Sequence, residues 1–237
     1  MIIKNTVLFF VASLILISAG FAAYFTYTKQ SKTFMVEKIN FIALGDSYTI
    51  CEGAINAESW PVLLTKNLNA KGINIALVAN PSVTGWTTKD LIDKELPVYE
   101  KAHPHFATLL IGVNDWVQKV EVKTFHANLN FIIDQMQAKL SDKKNLILIT
   151  IPDFGVTPQG AKYSGGRDIS QGLSEFNDII FSEAKKRGLK TVDIFPVSQQ
   201  MKVDPTLVSP DNLHPSAKEY AIWETLIFPV AYELLKK

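Results

Sequence analysis

Ile39-Asn-Phe-Ile-Ala-Leu-Gly-Asp-Ser47 sets an apolar run against an abrupt, glycine-bearing turn. The run Ile39–Leu44 reads as a buried strand, with Gly45-Asp46-Ser47 as the loop at its carboxyl end. Four further short runs rich in Ile, Leu, Val and Phe follow at Ile73–Val78, Phe106–Ile111, Leu146–Ile151 and Thr191–Phe195. Helix-length amphipathic segments separate them, predicted at Ser59–Ala70, Thr88–Glu95, Val122–Leu140, Ser170–Arg187 and Ser216–Leu235. Strands spaced by helices imply an α/β fold whose parallel sheet is covered on both faces.

In such a sheet, ligands gather at the carboxyl ends of the strands. The residues just after the first three runs are Gly45-Asp46-Ser47, Asn80-Pro-Ser-Val-Thr-Gly85 and Gly112-Val-Asn114-Asp115. Three polar, glycine-containing loops therefore converge on one sheet edge. Ser47 follows a strand end, where a tight turn lifts its hydroxyl above the sheet. Its surroundings, Leu44-Gly-Asp-Ser-Tyr48, lack the G-x-S-x-G elbow of α/β-hydrolases. Near the other end lies Asp211-Asn-Leu-His214-Pro215, whose three-residue spacing can set a carboxylate beside an imidazole in one turn. The carboxylate would fix the tautomer and stabilise the imidazolium. For an oxyanion, Asn114 offers an amide, Gly85 an N–H free of a β-carbon, and Ser47 its own N–H. Each of these also has a plain reading: Gly-Asp-Ser as a turn or cap, Asp-x-x-His-Pro as a helix start, Asn114 as a turn cap.

Taken in order, Gly-Asp-Ser, Gly, Gly-x-Asn-Asp and Asp-x-x-His-Pro resemble the blocks of the SGNH, or GDSL, family of esterases and lipases, from Lys38 to about Trp223. The resemblance implies Ser47 as nucleophile, His214 as base and Asp211 as its orienter. It implies an oxyanion hole of Ser47, Gly85 and Asn114, and no metal or other cofactor. It also implies a three-layer α/β/α sandwich with a five-stranded parallel sheet of flavodoxin-like type. The expected activity is cleavage of carboxylic esters, of short acyl chains, through an acyl-enzyme. Acyl transfer or sugar deacetylation on the same scaffold, or a catalytically silent binding module, are the competing functions.

The chain departs from the family pattern at Tyr48, where the family name has leucine, and at Cys51, where relatives commonly have glycine. Cys51 is also a rival nucleophile, although no histidine is paired with it in sequence. Trp86, Trp116 and Phe154 follow the site motifs and are expected to form an apolar wall for substrate at the mouth; the competing reading packs them into the sheet's rim. Val156–Arg167 reads as a cover or an ordinary surface loop. His103-Pro-His105 has metal-like spacing but precedes the third strand, at the opposite end of the sheet. Lys185-Lys-Arg187 reads as a solvated helix end whose cations complement the dipole.

Lys and Arg total 24 against 23 Asp and Glu in 237 residues, so nothing electrostatic points to nucleic acid, and a small ester substrate is the expected partner. Asn5 to Thr28 carries no charge and is long enough to span a bilayer, with Lys4 before it and Lys29 after it. Residues 1–28 are expected to be a transmembrane anchor, or a cleaved signal peptide that would leave the protein secreted. Residues 29–37 form a linker and 38–237 the hydrolase domain, expected on the extracytoplasmic side. The single cysteine excludes an intramolecular disulfide and zinc sites built from paired cysteines.

Overall fold

The computed structural model describes residues 38–236; the expected anchor and linker lie outside the described residues, as does Lys237. Among the described residues, no helix is long and apolar enough to cross a membrane.

The chain opens with β1 (Ile39–Gly45), α1 (Ser47–Ile50), α2 (Trp60–Ala70) and β2 (Ile75–Ala79). A composite helix follows: α3 (Thr88–Asp90), a π-helical turn (Leu91–Glu95) and α4 (Leu96–Lys101). Then come β3 (Phe106–Leu110), α5 (Val113–Val117), α6 (Val122–Lys139), β4 (Leu146–Ile149) and α7 (Ile169–Arg187). β5 (Lys190–Val192), α8 (Phe195–Ser198) and α9 (Ala217–Leu235) complete it. The five strands form one parallel sheet in the order β2-β1-β3-β4-β5, the arrangement expected.

The middle of the sheet is apolar without alternation because both faces are covered. All of Phe106–Leu110 and Leu146–Ile149 are buried, as are Phe41 to Gly45. Helices α2 and α9 pack together over one face, burying Leu64, Leu68, Trp223 and Ile227. On the other face, α4, α6 and α7 pack side by side. There α6 buries Leu129, Ile132, Ile133 and Met136, a helical stripe, and Phe125 stacks on Phe176 at 4.1 Å. Helix α7 is capped by Asp168, which accepts from Gln171 N–H, and ends at left-handed Gly188 behind Lys185, Lys186 and Arg187.

Element boundaries differ from expectation at several places, β4 ending at Ile149 where Ile151 was expected, and three of the differences have a visible cause. β2 starts at Ile75, because the Asn69 side chain takes both the N–H and the carbonyl of that residue, after a turn at Lys71–Gly72 that leaves Ile73 and Asn74 outside the strand. β5 ends at Val192, because Asp193 accepts from Phe195 N–H and turns the chain into α8, with Pro196 in its first turn. The segment expected to stop at Glu95 continues to Lys101, since Pro97 falls in the first turn of α4, where its missing N–H is of no consequence.

Candidate functional site

At the end of β1, Asp46 caps α1, accepting from Tyr48 N–H at 3.0 Å, and Ser47 is the first helical residue. Asp46 is fully buried; burial pushes its carboxyl up to about 8 against the lowering effect of the Tyr48 N–H, and Asp115 nearby raises it further. Glu95 is also fully buried beneath this turn, where it accepts from Gly45 N–H at 3.1 Å; burial drives it to about 9.

The Asp211–His214 turn is closed by Ser209 N–H donating to the His214 carbonyl at 2.8 Å. Asp211 Oδ2 stands 2.7 Å from His214 Nδ1. Its Oδ1 accepts from the Ser209 hydroxyl at 2.6 Å and from the N–H groups of Leu213 and His214 at 2.8 and 2.9 Å. Partial burial raises this carboxyl, but the four hydrogen bonds outweigh it and hold it at about 2. With Nδ1 committed to Asp211, Nε2 is the ring nitrogen left for the cleft.

Asn114 lies on α5, whose start demands glycine: Gly112 has φ +125°, and a β-carbon there would stand 2.6 Å from the Phe125 ring. The Asn114 amide donates to the Trp86 carbonyl at 2.9 Å, and Gln118 donates to the Gly85 carbonyl at 3.3 Å. Beside it, buried Asp115 accepts from Thr88 N–H at 2.8 Å and from the Thr88 hydroxyl, which itself accepts from Asn128 at 3.0 Å. Residues 114–118 thus hold the chain after the second loop at three points, Gly85, Trp86 and Thr88. An amide has two N–H donors, so one remains on Asn114 after the Trp86 bond.

Ser47, Asn114, Phe154 and His214 line a single cleft of about 60 Å³, together with Tyr48, Val113, Val117, Tyr163 and Leu213. Of the residues expected at the site, Gly85, Trp86, Trp116 and Asp211 are not among those lining it, Asp211 standing behind His214. Trp116 is buried behind the wall, edge-on to Phe154 and under the Arg167 guanidinium, 3.7 Å from its centroid. Trp86 is half-buried below the Lys94 ammonium, 4.8 Å away. Gly85 is exposed with φ +88°, and no atom lies within 4 Å of where a β-carbon would be. Of the lining residues absent from the expectation, three flank motif residues directly, Tyr48 beside Ser47, Val113 beside Asn114 and Leu213 beside His214, and Val117 lies one turn beyond Val113. Tyr163 comes from the loop after β4, and nothing in the sequence marks it.

Cys51 is buried, with its thiol toward the Tyr48 and Thr49 carbonyls at 3.6 Å, and burial pushes its pKa far up. It is a packing residue, with no thiolate to serve as the rival nucleophile. His105 Nδ1 accepts from Asn40 N–H at 3.0 Å, and no metal-holding cluster of His, Cys, Asp or Glu exists among the described residues. The loop Val156–Arg167 carries Tyr163 and is fastened twice. Arg167 donates to the Trp116 and Val117 carbonyls at 2.8 and 3.4 Å, and Gln159 N–H donates to the Asn212 carbonyl at 3.0 Å.

Residues 43–222 match the GDSL-like lipase/acylhydrolase family. No curated protein matches the chain. Among solved structures, the lipase/acylhydrolase from Enterococcus faecalis is 25% identical, covering 84% of this chain and 98% of its own, with TM-score 0.63. The esterase EstA from Pseudoalteromonas sp., in a structure inhibited by monoethylphosphonate, is 20% identical, covering 84% and 100%, TM-score 0.63. The acetylxylan esterase Axe2 from Geobacillus stearothermophilus is 17% identical, covering 82% and 94%, TM-score 0.64.

Proposed function

The chain belongs to the GDSL-like lipase/acylhydrolase family and is a carboxylic ester hydrolase, and from that premise we propose that it cleaves esters of short acyl groups through an acyl-enzyme at Ser47. The observation that carries this reading is that His214, locked by Asp211, lines one cleft with Ser47 and Asn114. In the proposed mechanism, Ser47 Oγ attacks the ester carbonyl carbon while His214 Nε2 takes the hydroxyl proton. The imidazolium that forms is stabilised by Asp211, which stays ionised because its hydrogen bonds hold it near pKa 2. The oxyanion is met by Ser47 N–H, by Gly85 N–H and by the second amide N–H of Asn114. The tetrahedral intermediate collapses as His214 returns its proton to the departing alkoxide. Water then attacks the acyl-enzyme with His214 again as base.

The short-acyl preference is supported by the cleft's volume of about 60 Å³, walled by Val113, Val117, Phe154, Tyr163 and Leu213. A set of p-nitrophenyl esters from acetate to laurate tests both parts on the full-length protein. Turnover that falls with chain length and vanishes in Ser47→Ala is the expected result. Rising rates toward laurate would remove the short-acyl reading, and full activity in Ser47→Ala would remove the nucleophile. Residues 1–28 extend the proposal to a membrane tether, supported by the uncharged run Asn5–Thr28 between basic residues. Release of the intact chain by alkaline carbonate would overturn it.

A further inference from the structure

Glu95 is a fully buried carboxyl that the proposed mechanism does not use, and it accepts from Gly45, two residues before Ser47. In a parallel ladder, alternate residues of a strand address opposite neighbours. Asn40 turns to β3, its carbonyl accepting from His105 N–H at 2.9 Å, so Ile42 and Leu44 turn the same way. Ile39 turns to the β2 side, its N–H donating to the Asn74 carbonyl at 2.8 Å, and Phe41, Ala43 and Gly45 follow it. But β2 last pairs with β1 at Ile42↔Ala79. The nucleophile strand therefore outruns its neighbour, and Gly45 N–H points at a position where the ladder has no further strand. Glu95 Oε2 stands there, 3.1 Å away.

Two more observations give this contact weight. Glu95 closes a π-helical turn, and such turns, wider than an α-helix, concentrate at functional positions. Here Leu91 and Glu95 both face the sheet and are fully buried, while Asp93 and Lys94 between them are exposed. Gly45 itself tolerates no β-carbon, which would collide with the Leu110 carbonyl and the Thr49 hydroxyl. The turn is wrapped tightly, so a change at Gly45 passes directly to Asp46 and Ser47.

We propose that Glu95 is a positioning residue for the nucleophile turn: its carboxyl takes the place of a strand as the acceptor for Gly45 N–H and so sets the height of Ser47. This rests on the reading of Ser47 as nucleophile. The charged groups that bear on Glu95 are acids, Asp46 from the nucleophile turn and Asp90 from its own helix, and Asp115 bears on Asp46 in turn. Glu95 Oε1 and Asp46 Oδ2 are buried with no hydrogen-bond partner among the described residues. A neutral carboxyl suits these surroundings, and its carbonyl oxygen is the acceptor. Glutamine reproduces that oxygen; leucine fills the space and leaves the Gly45 N–H unpaired.

The test compares Glu95→Gln and Glu95→Leu in the full-length chain with p-nitrophenyl butyrate. Gln is expected to keep kcat and KM within about threefold, and Leu to lower kcat by about tenfold or more with KM within about threefold. Parent-like kcat in a folded Leu variant overturns the proposal, and so does equal loss in Gln and Leu. If Leu does not fold, the Gly45 amide in [15N]glycine-labelled parent protein decides. Its resonance is expected to shift with an alkaline midpoint near pH 9 that is lost in Glu95→Gln, where only the titration of neighbouring Asp46 near pH 8 is left. The same titration of the Gly45 amide in the parent and in Glu95→Gln overturns the proposal. Ser47→Ala, run alongside, tests the nucleophile separately: turnover surviving in that variant removes the nucleophile assignment, while the Gly45 titration still reports the Glu95 bond.

Discussion

Asn114 and Trp86, 28 positions apart, are joined by the Asn114 side-chain amide donating to the Trp86 carbonyl at 2.9 Å. The bond uses one of two amide hydrogens and fixes the plane in which the other points. Asn114 thereby meets one requirement of an oxyanion donor, orientation set before substrate arrives. Asn114→Ala removes the donor and the brace together. The expected outcome is a fall in kcat of about 10²- to 10³-fold with a much smaller change in KM, measured on p-nitrophenyl butyrate.

Arg167 ties the loop bearing Tyr163 to the carboxyl end of α5 through two carbonyls and a face-on contact with Trp116. Its removal frees one wall of the cleft without touching Ser47 or His214. Arg167→Ala should raise KM by about three- to tenfold while kcat changes less. Proteolysis within residues 157–166 should accelerate in step, and unchanged cleavage together with unchanged KM would show that the loop is held by other contacts.

Cys51 has left-handed backbone, φ +64°, and is 1% exposed. Native protein should resist iodoacetamide at pH 8, and Cys51→Ala should keep kcat within about twofold, because a buried thiol with a raised pKa presents no thiolate. Rapid modification of the native protein would contradict this.

Glu183 on α7 receives His126 Nε2 from α6 at 2.7 Å, Lys186 at 2.6 Å and Arg187. Burial raises its pKa, and these partners overcome that effect to bring it down to about 2. A carboxyl with a depressed folded pKa stabilises the fold above its unfolded value, near 4.5, and that contribution disappears as pH falls toward 2. Glu183→Gln should therefore be less stable than the parent at pH 7, by about 2 kcal/mol in urea denaturation. The gap should narrow between pH 4.5 and pH 2, and a gap constant with pH would sink the assignment.

Much of the scaffold was legible because both faces of the sheet are covered, so its strands are nearly uninterrupted apolar runs bounded by turn residues. Boundaries were lost where side chains replaced backbone bonds, as Asn69 does at Ile75 and Asp193 at Phe195. At the cleft, the expectation placed Trp116 at the mouth by its nearness to Asn114 in sequence. Residues 113–117 are helical, however, and Val113, Asn114 and Val117 share the cleft side while Asp115 and Trp116 turn inward. Sequence proximity implies shared exposure in a loop; in a helix, spacing decides. Tyr163 was invisible for another reason: it reaches the cleft only because Arg167 and Gln159 fold its loop back across α5 and the Asp211–His214 turn.

The π-helical turn at Leu91–Glu95 also bears on how sequences of this kind are compared. An α-helix advances about 100° per residue, so a chain shorter by one residue here would keep every motif on either side and still present a different side chain to the nucleophile strand. Aligning such sequences through residues 88–101 without a gap would match Glu95 to a neighbour of its true counterpart. Between the glycine of the second loop and the third strand, correspondence is set by which residue reaches Gly45, and a one-residue gap belongs wherever that contact requires it.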